Sequence, residues 1–117
     1  MRVGGTTCAL ALAGALLLAG CEKKKAEPTG RELFAATCAR CHGEGGAGGL
    51  PVWDGGPSPR NFTEAGFLAG RTDGALRQTI RDGKGGAMPP FGTTFTDEQI
   101  TALIAHLRTL DPGTPKK

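Results

Sequence analysis

The stretch Thr37-Cys38-Ala39-Arg40-Cys41-His42-Gly43, read TCARCHG, sets two cysteines three positions apart with a histidine directly behind them. The chain of 117 residues has four cysteines and two histidines, so this segment holds half of each. On a helix, side chains at i and i+3 project to the same side about one turn apart. Cys38 and Cys41 therefore present their two sulfurs together.

Three chemistries use such a pair. A redox dithiol accompanies a βαβ unit, and no alternating strand pattern occurs anywhere in this sequence. A structural zinc needs four ligands, while the chain beyond its first twenty residues offers only Cys38, Cys41, His42 and His106 besides Cys21. C-x-x-C-H is also the attachment pattern of c-type haem. There the thiols form thioethers with the vinyl groups, and the histidine at position 42 lies under the iron.

Outward from this segment, the sequence lacks apolar bulk. From Pro28 to Pro115 it carries seven Leu, three Ile, one Val and five Phe, just under one residue in five. That is below the level of about 20% at which a chain struggles to build a core, although its low net charge argues against disorder. Domains this small commonly rely on a staple such as a metal or a cofactor. From Gly43 to Phe62 the chain reads GEGGAGGLPVWDGGPSPRNF, with seven glycines and three prolines and no periodicity. A loop of about twenty residues in a compact domain implies a function, and wrapping a large flat ligand would supply one.

Helical segments flank this loop. The first begins at Thr29, with Glu32 three residues on as a capping box, and brings Leu33, Phe34, Cys38 and Cys41 near one face. The second runs through RTDGALRQTIRDG, with Thr72 as N-cap, Leu76 and Ile80 one turn apart and Gly83 as the stop. A short helix around Glu64 to Leu68 is expected before it. The last, TDEQITALIAHLRTLDPG, opens with a Thr96 and Gln99 capping box and carries Ile100, Leu103, Ile104, Leu107 and Leu110 on one stripe. The expected class is all-α, with three to four helices and no internal repeat.

The N-terminus reads as an export segment. MRVGGTTCALALAGALLLAGC has one cation at Arg2, an apolar run too short to span a membrane, and then Cys21. Leu18-Ala19-Gly20-Cys21 resembles the lipobox of bacterial lipoproteins, in which the cysteine is acylated and becomes the first residue. A plain secretory signal is the alternative. The expected organisation is a cleaved lipoprotein signal peptide at 1–20, a lipidated Cys21 and flexible tether at 21–28, a folded domain at 29–111 and a tail at 112–117. Lys23, Lys24 and Lys25 in the tether would each gain about 1 kcal/mol beside anionic head groups. With the signal, tether and tail set aside, eight basic residues face nine acidic ones. A near-neutral domain gives no support to a nucleic-acid partner.

From Thr29 to about Leu110 the sequence resembles a class I c-type monohaem cytochrome. In that family a glycine and an aromatic, at the positions of Gly30 and Phe34, precede C-x-x-C-H, a glycine-rich loop comes next, and a final amphipathic helix crosses the first. A Met-Pro pair supplies the sixth iron ligand, and GAMPPFG, Gly86 to Gly92, matches that segment. The resemblance implies a small cytochrome c-like fold around one covalent haem c, bound through Cys38 and Cys41 and ligated through iron by His42 and Met88. Met88 is the sole methionine besides Met1, and Pro89 behind it favours an extended loop conformation.

His106 stands where the family usually has an aromatic, and is expected to pack against Gly30 and Phe34. Trp53 and Arg60 are candidate contacts to the haem propionates, against the plainer readings of a surface tryptophan and a solvated arginine. The spare nitrogen of His42 is expected to meet a loop carbonyl near Pro51 or Pro57.

With both axial positions filled, the iron has no open site, so the expected function is electron transfer and not enzymatic catalysis. The expectation is a lipid-anchored carrier on the periplasmic side of a bacterial membrane, meeting redox protein partners as a monomeric domain or as a subunit of a redox complex. A haem-based ligand-binding or sensor protein with a labile sixth ligand is the alternative.

Overall fold

A computed structural model describes residues 25–115. The signal segment, the lipobox cysteine Cys21 and the last two lysines lie outside the described residues. Four helical elements form in chain order: α1 (Gly30–Leu33), which continues through one π-helical turn (Phe34–Cys38) into α2 (Ala39–His42), then α3 (Asp73–Asp82) and α4 (Asp97–Leu110). Among the described residues there is no strand, and no helix is long and apolar enough to cross a membrane.

Local chemistry accounts for the helix ends. The Thr29 hydroxyl accepts from the Glu32 amide at 3.3 Å, and the Glu32 carboxylate accepts from the Thr29 amide at 2.7 Å. Thr96 and Gln99 repeat the arrangement at 3.2 and 3.0 Å, and Thr72 caps α3 through the Ala75 amide at 3.1 Å. Each pair satisfies amides that the first helical turn leaves without partners.

The first helical segment is not uniformly α. The Ala39 amide reaches back five residues to the Phe34 carbonyl, which widens the turn just before the cysteine pair. Wide turns of this kind concentrate at functional sites. Gly43, with φ of +81°, then ends α2.

α1 and α3 both pack against α4. The core is Leu33 and Phe34 from the first segment, Leu68, Leu76 and Ile80 from the middle, and Ile100, Leu103, Ile104 and Leu107 along α4. Gly30 is buried where α1 meets α4, because any Cβ there would collide with the Ala102 carbonyl.

The expected helix around Glu64 to Leu68 is replaced by successive turns up to Arg71. Asp111, at the far end of α4, organises them. It is 2% exposed, and its carboxylate accepts from the amides of Gly66 at 2.8 Å, Leu68 at 2.7 Å and Ala69 at 3.0 Å, and from Gly113 at 2.7 Å. The amides that a helix would turn along its axis point instead at one carboxylate. Burial alone would raise the Asp111 pKa, but these four amides outweigh it and hold the carboxyl below its usual range. Arg108 completes the clamp by donating to the Leu68 and Arg71 carbonyls and pairing with Asp73 at 2.6 Å.

Candidate functional site

The widened turn delivers Cys38 and α2 delivers Cys41 and His42. Both cysteines are partly buried, and neither is in a disulfide. Burial, and secondarily the neighbouring Cys41, push the Cys38 thiol up to about 11. A thiol held protonated is a poor spontaneous nucleophile, so Cys38 lacks the lowered pKa that activates the attacking sulfur of a dithiol catalyst.

His42 is held on two sides. Its Nδ1 lies 3.0 Å from the Arg60 carbonyl, and its ring stacks on Phe62 with centroids 4.5 Å apart and planes 23° from parallel. With Nδ1 donating to that carbonyl, Nε2 keeps its lone pair, the state in which imidazole binds iron. The carbonyl belongs to Arg60, in the loop the sequence suggested and three residues beyond Pro57. The glycine-rich loop makes this possible by passing close to the helix end. The Gly48 amide donates to the His42 carbonyl at 2.8 Å, and a Cβ on Gly49 would lie 2.5 Å from the Cys41 carbonyl oxygen.

Met88 is partly buried and packs against the core. Its loop is closed by a pair of backbone hydrogen bonds with Lys84, at 3.0 and 3.1 Å, around Gly85 and Gly86, both at positive φ. The segment after it returns to α3, where the Phe91 and Gly92 amides donate to the Ile80 and Arg81 carbonyls. The position of Met88 is thus set by α3 on one side and its own short loop on the other.

His106 packs on Phe34 with ring centroids 5.2 Å apart, and burial, then the Arg31 cation, lowers its pKa. Gly30 itself meets the α4 backbone at Ala102, one turn earlier. Trp53 is 48% exposed, with its indole against Gly56. The Arg60 guanidinium pairs with Glu64 at 2.8 Å and lies 3.8 Å from the centre of the Phe67 ring. Arg71, which sequence reasoning missed, stacks on the same ring at 3.8 Å. Two guanidinium groups thus flank one aromatic ring, Arg60 already paired with Glu64 and Arg71 donating to the Phe67 carbonyl at 3.0 Å.

Do these residues fit a haem? Cys38, Phe62, Phe67, Met88, Phe91, Phe95 and Leu110 are all only partly buried while packed against the core. They offer half-covered apolar surface of the kind a flat macrocycle completes, and the chain adds two thiols, an imidazole held through Nδ1 and a thioether. Among the described residues, no group of three or more His, Cys, Asp or Glu is placed to hold a bare metal ion. The donor set fits haem and gives a zinc cluster no footing.

Residues 25–107 match the family model described as cytochrome c oxidase, cbb3-type, subunit III. The chain belongs to that family. A relative from Azorhizobium caulinodans, described as the cbb3-type cytochrome c oxidase subunit FixP, is 38% identical over 84 residues, covering 72% of this chain and 27% of its own. The CcoP subunit of Rhodobacter capsulatus is 32% identical over 91 residues, covering 72% of this chain and 29% of its own. The chain thus spans under a third of the length of these curated relatives. Among solved structures, the KustC0563 c-type cytochrome superposes with a TM-score of 0.62 at 28% identity, over 72% of this chain and 99% of its own. The all-α, cytochrome c-like fold expected from the sequence is the one observed. Membership in this subunit III family brings haem c, covalently bound with its iron, as the cofactor.

Proposed function

We propose that this protein is a one-electron carrier, its haem attached through Cys38 and Cys41 and its iron ligated by His42 and Met88. Bound haem supplies the Fe(III)/Fe(II) couple, and thioether ligation opposite imidazole favours the ferrous state. The protein's part is to hold both ligands, exclude water and leave no coordination site open. The observation that carries this reading is His42, with Nδ1 tied to the Arg60 carbonyl at 3.0 Å and Nε2 left for a metal, directly behind the thiol pair. Arg60 and Arg71 are the candidate partners of the haem carboxylates. Trp53, exposed in the glycine-rich loop, is a weaker one.

The family supports a redox-protein partner, since the relatives are described as subunits of cbb3-type oxidases. In this reading the domain passes single electrons as a carrier or redox-complex subunit and performs no bond chemistry itself. The lipobox-like Leu18 to Cys21 supports a lipid anchor at Cys21 and a periplasmic location on a bacterial membrane.

Spectra of the matured protein, oxidised, reduced and reduced under carbon monoxide, test the reading. A six-coordinate c-type spectrum indifferent to the gas is the expected outcome. A spectrum that shifts would favour the sensor alternative, with Met88 readily displaced.

A further inference from the structure

The hydrogen bond from His42 to Arg60 holds the imidazole at its edge, through Nδ1, and the stacked Phe62 holds it at its face. Arg60 and Phe62 stand two residues apart, so one short stretch of chain supplies both the acceptor for Nδ1 and the flat face against the ring. That stretch is itself anchored, because the Phe62 amide donates to the Gly46 carbonyl at 2.7 Å. Gly46 sits at φ of +75°, and a Cβ there would lie 3.6 Å from Phe62 and 2.6 Å from a Leu110 methyl.

Phe62 is braced from behind as well. Phe34, 1% exposed, meets it edge-on at 6.4 Å and 67°, and Phe67 lies 6.5 Å away. Phe34 in turn carries His106 on its other contact at 5.2 Å. Four rings from three parts of the chain thus run in sequence from α4 to the ligand histidine. Aromatic pairs prefer defined geometries and resist rotation against one another, and outer partners of a metal-bound histidine set its orientation.

We propose that Phe62 is a positioning residue that sets the plane of the His42 imidazole relative to the haem. The proposal rests on His42 being the axial ligand. Phe62→Leu keeps an apolar side chain and removes the flat face, whereas Phe62→Tyr keeps both.

In the matured ferric protein, the spread of the haem-methyl hyperfine shifts reports the orientation of the axial ring plane. Phe62→Leu is expected to change that spread with haem still attached and low-spin, and Phe62→Tyr to restore the parental pattern. Parental shifts in Phe62→Leu would overturn the proposal. A second measurement needs no variant: in the reduced, diamagnetic parent, nuclear Overhauser contacts are expected between the His42 and Phe62 rings, and their absence would equally overturn it. If His42 were not the ligand, His42→Ala would keep the parental low-spin spectrum. Failure of the Phe62 role alone leaves His42→Ala disruptive and Phe62→Leu silent.

Discussion

Gly30 on α1 lies directly against the main chain of Ala102 on α4, with no side chain between the two helices at their crossing. One turn further along both helices, Phe34 and His106 form the ring contact. The close approach at Gly30 thus allows the aromatic contact to form. Gly30→Ala would push a methyl group into a carbonyl oxygen and force the helices apart. Overpacking of this type costs about 1–3 kcal/mol. A guanidinium denaturation midpoint equal to the parent's would show that the crossing absorbs the methyl freely.

Met88→Ala should leave haem covalently attached, since both thioethers remain. The sixth position then opens, so the ferrous spectrum responds to carbon monoxide and the reduction potential falls, because the soft sulfur that favours ferrous iron is gone. An unchanged potential and no response to the gas would remove Met88 from the iron.

His106 makes the stability of the helix crossing depend on pH. Burial and then Arg31 depress its pKa below the ordinary 6.5, so the unfolded chain binds this proton more readily than the folded one. The stabilisation is fully present above that ordinary value and declines as pH falls below it toward the folded value. His106→Phe should flatten this slope and add about 0.5–1.5 kcal/mol at neutral pH from a better aromatic pair. Thermal midpoints of parent and variant at about pH 7.5 and about pH 5 check it, and parallel shifts in the two proteins would contradict it.

Helix starts were legible because capping is local: Thr29 with Glu32, Thr72, and Thr96 with Gln99 each act within three residues. The stripe along α4 comes from helical period alone, and the Phe34 to His106 contact was legible through the resemblance to c-type cytochromes. Contacts distant in sequence carried the features that could not be read. Asp111 serves amides 42 to 45 residues away, and it is those bonds that turn the segment at Glu64 to Leu68 away from helix. The partner of His42 stands 18 residues on, in a loop where several carbonyls were equally plausible from spacing. Arg71 gave no signal, because a cation stacked on Phe67 looks in sequence like any surface arginine.

Asp111→Asn probes the clamp at the end of α4. The carboxyl's pKa is depressed in the fold, so its stabilisation is present above the ordinary value of 3.8 and disappears as pH falls through the folded value. The amide side chain cannot present two acceptor oxygens to four amides. The variant should be less stable than the parent at neutral pH, with the difference closing in acid. Acid titration followed by far-UV circular dichroism gives both curves, and a gap that stays constant down the acid limb would show that the charge is not what matters.

The single π-helical turn at Phe34–Cys38 has a further consequence. An α-helix advances about 100° per residue, so one extra residue in a regular helix would swing everything beyond it by roughly a quarter turn. The wide turn absorbs that residue locally, because the Ala39 amide still reaches the Phe34 carbonyl across it. Phe34 faces the core on one side, and Cys41 and His42 keep their bearing on the other. Excising one alanine, Ala35 or Ala36, would make that same amide and carbonyl an ordinary α-helical pair and leave the attachment motif facing the Arg60 carbonyl and the Phe62 ring. The effect of such a deletion is therefore confined to the turn itself, where Cys38 sits, and a chain one residue shorter here keeps the direction of His42.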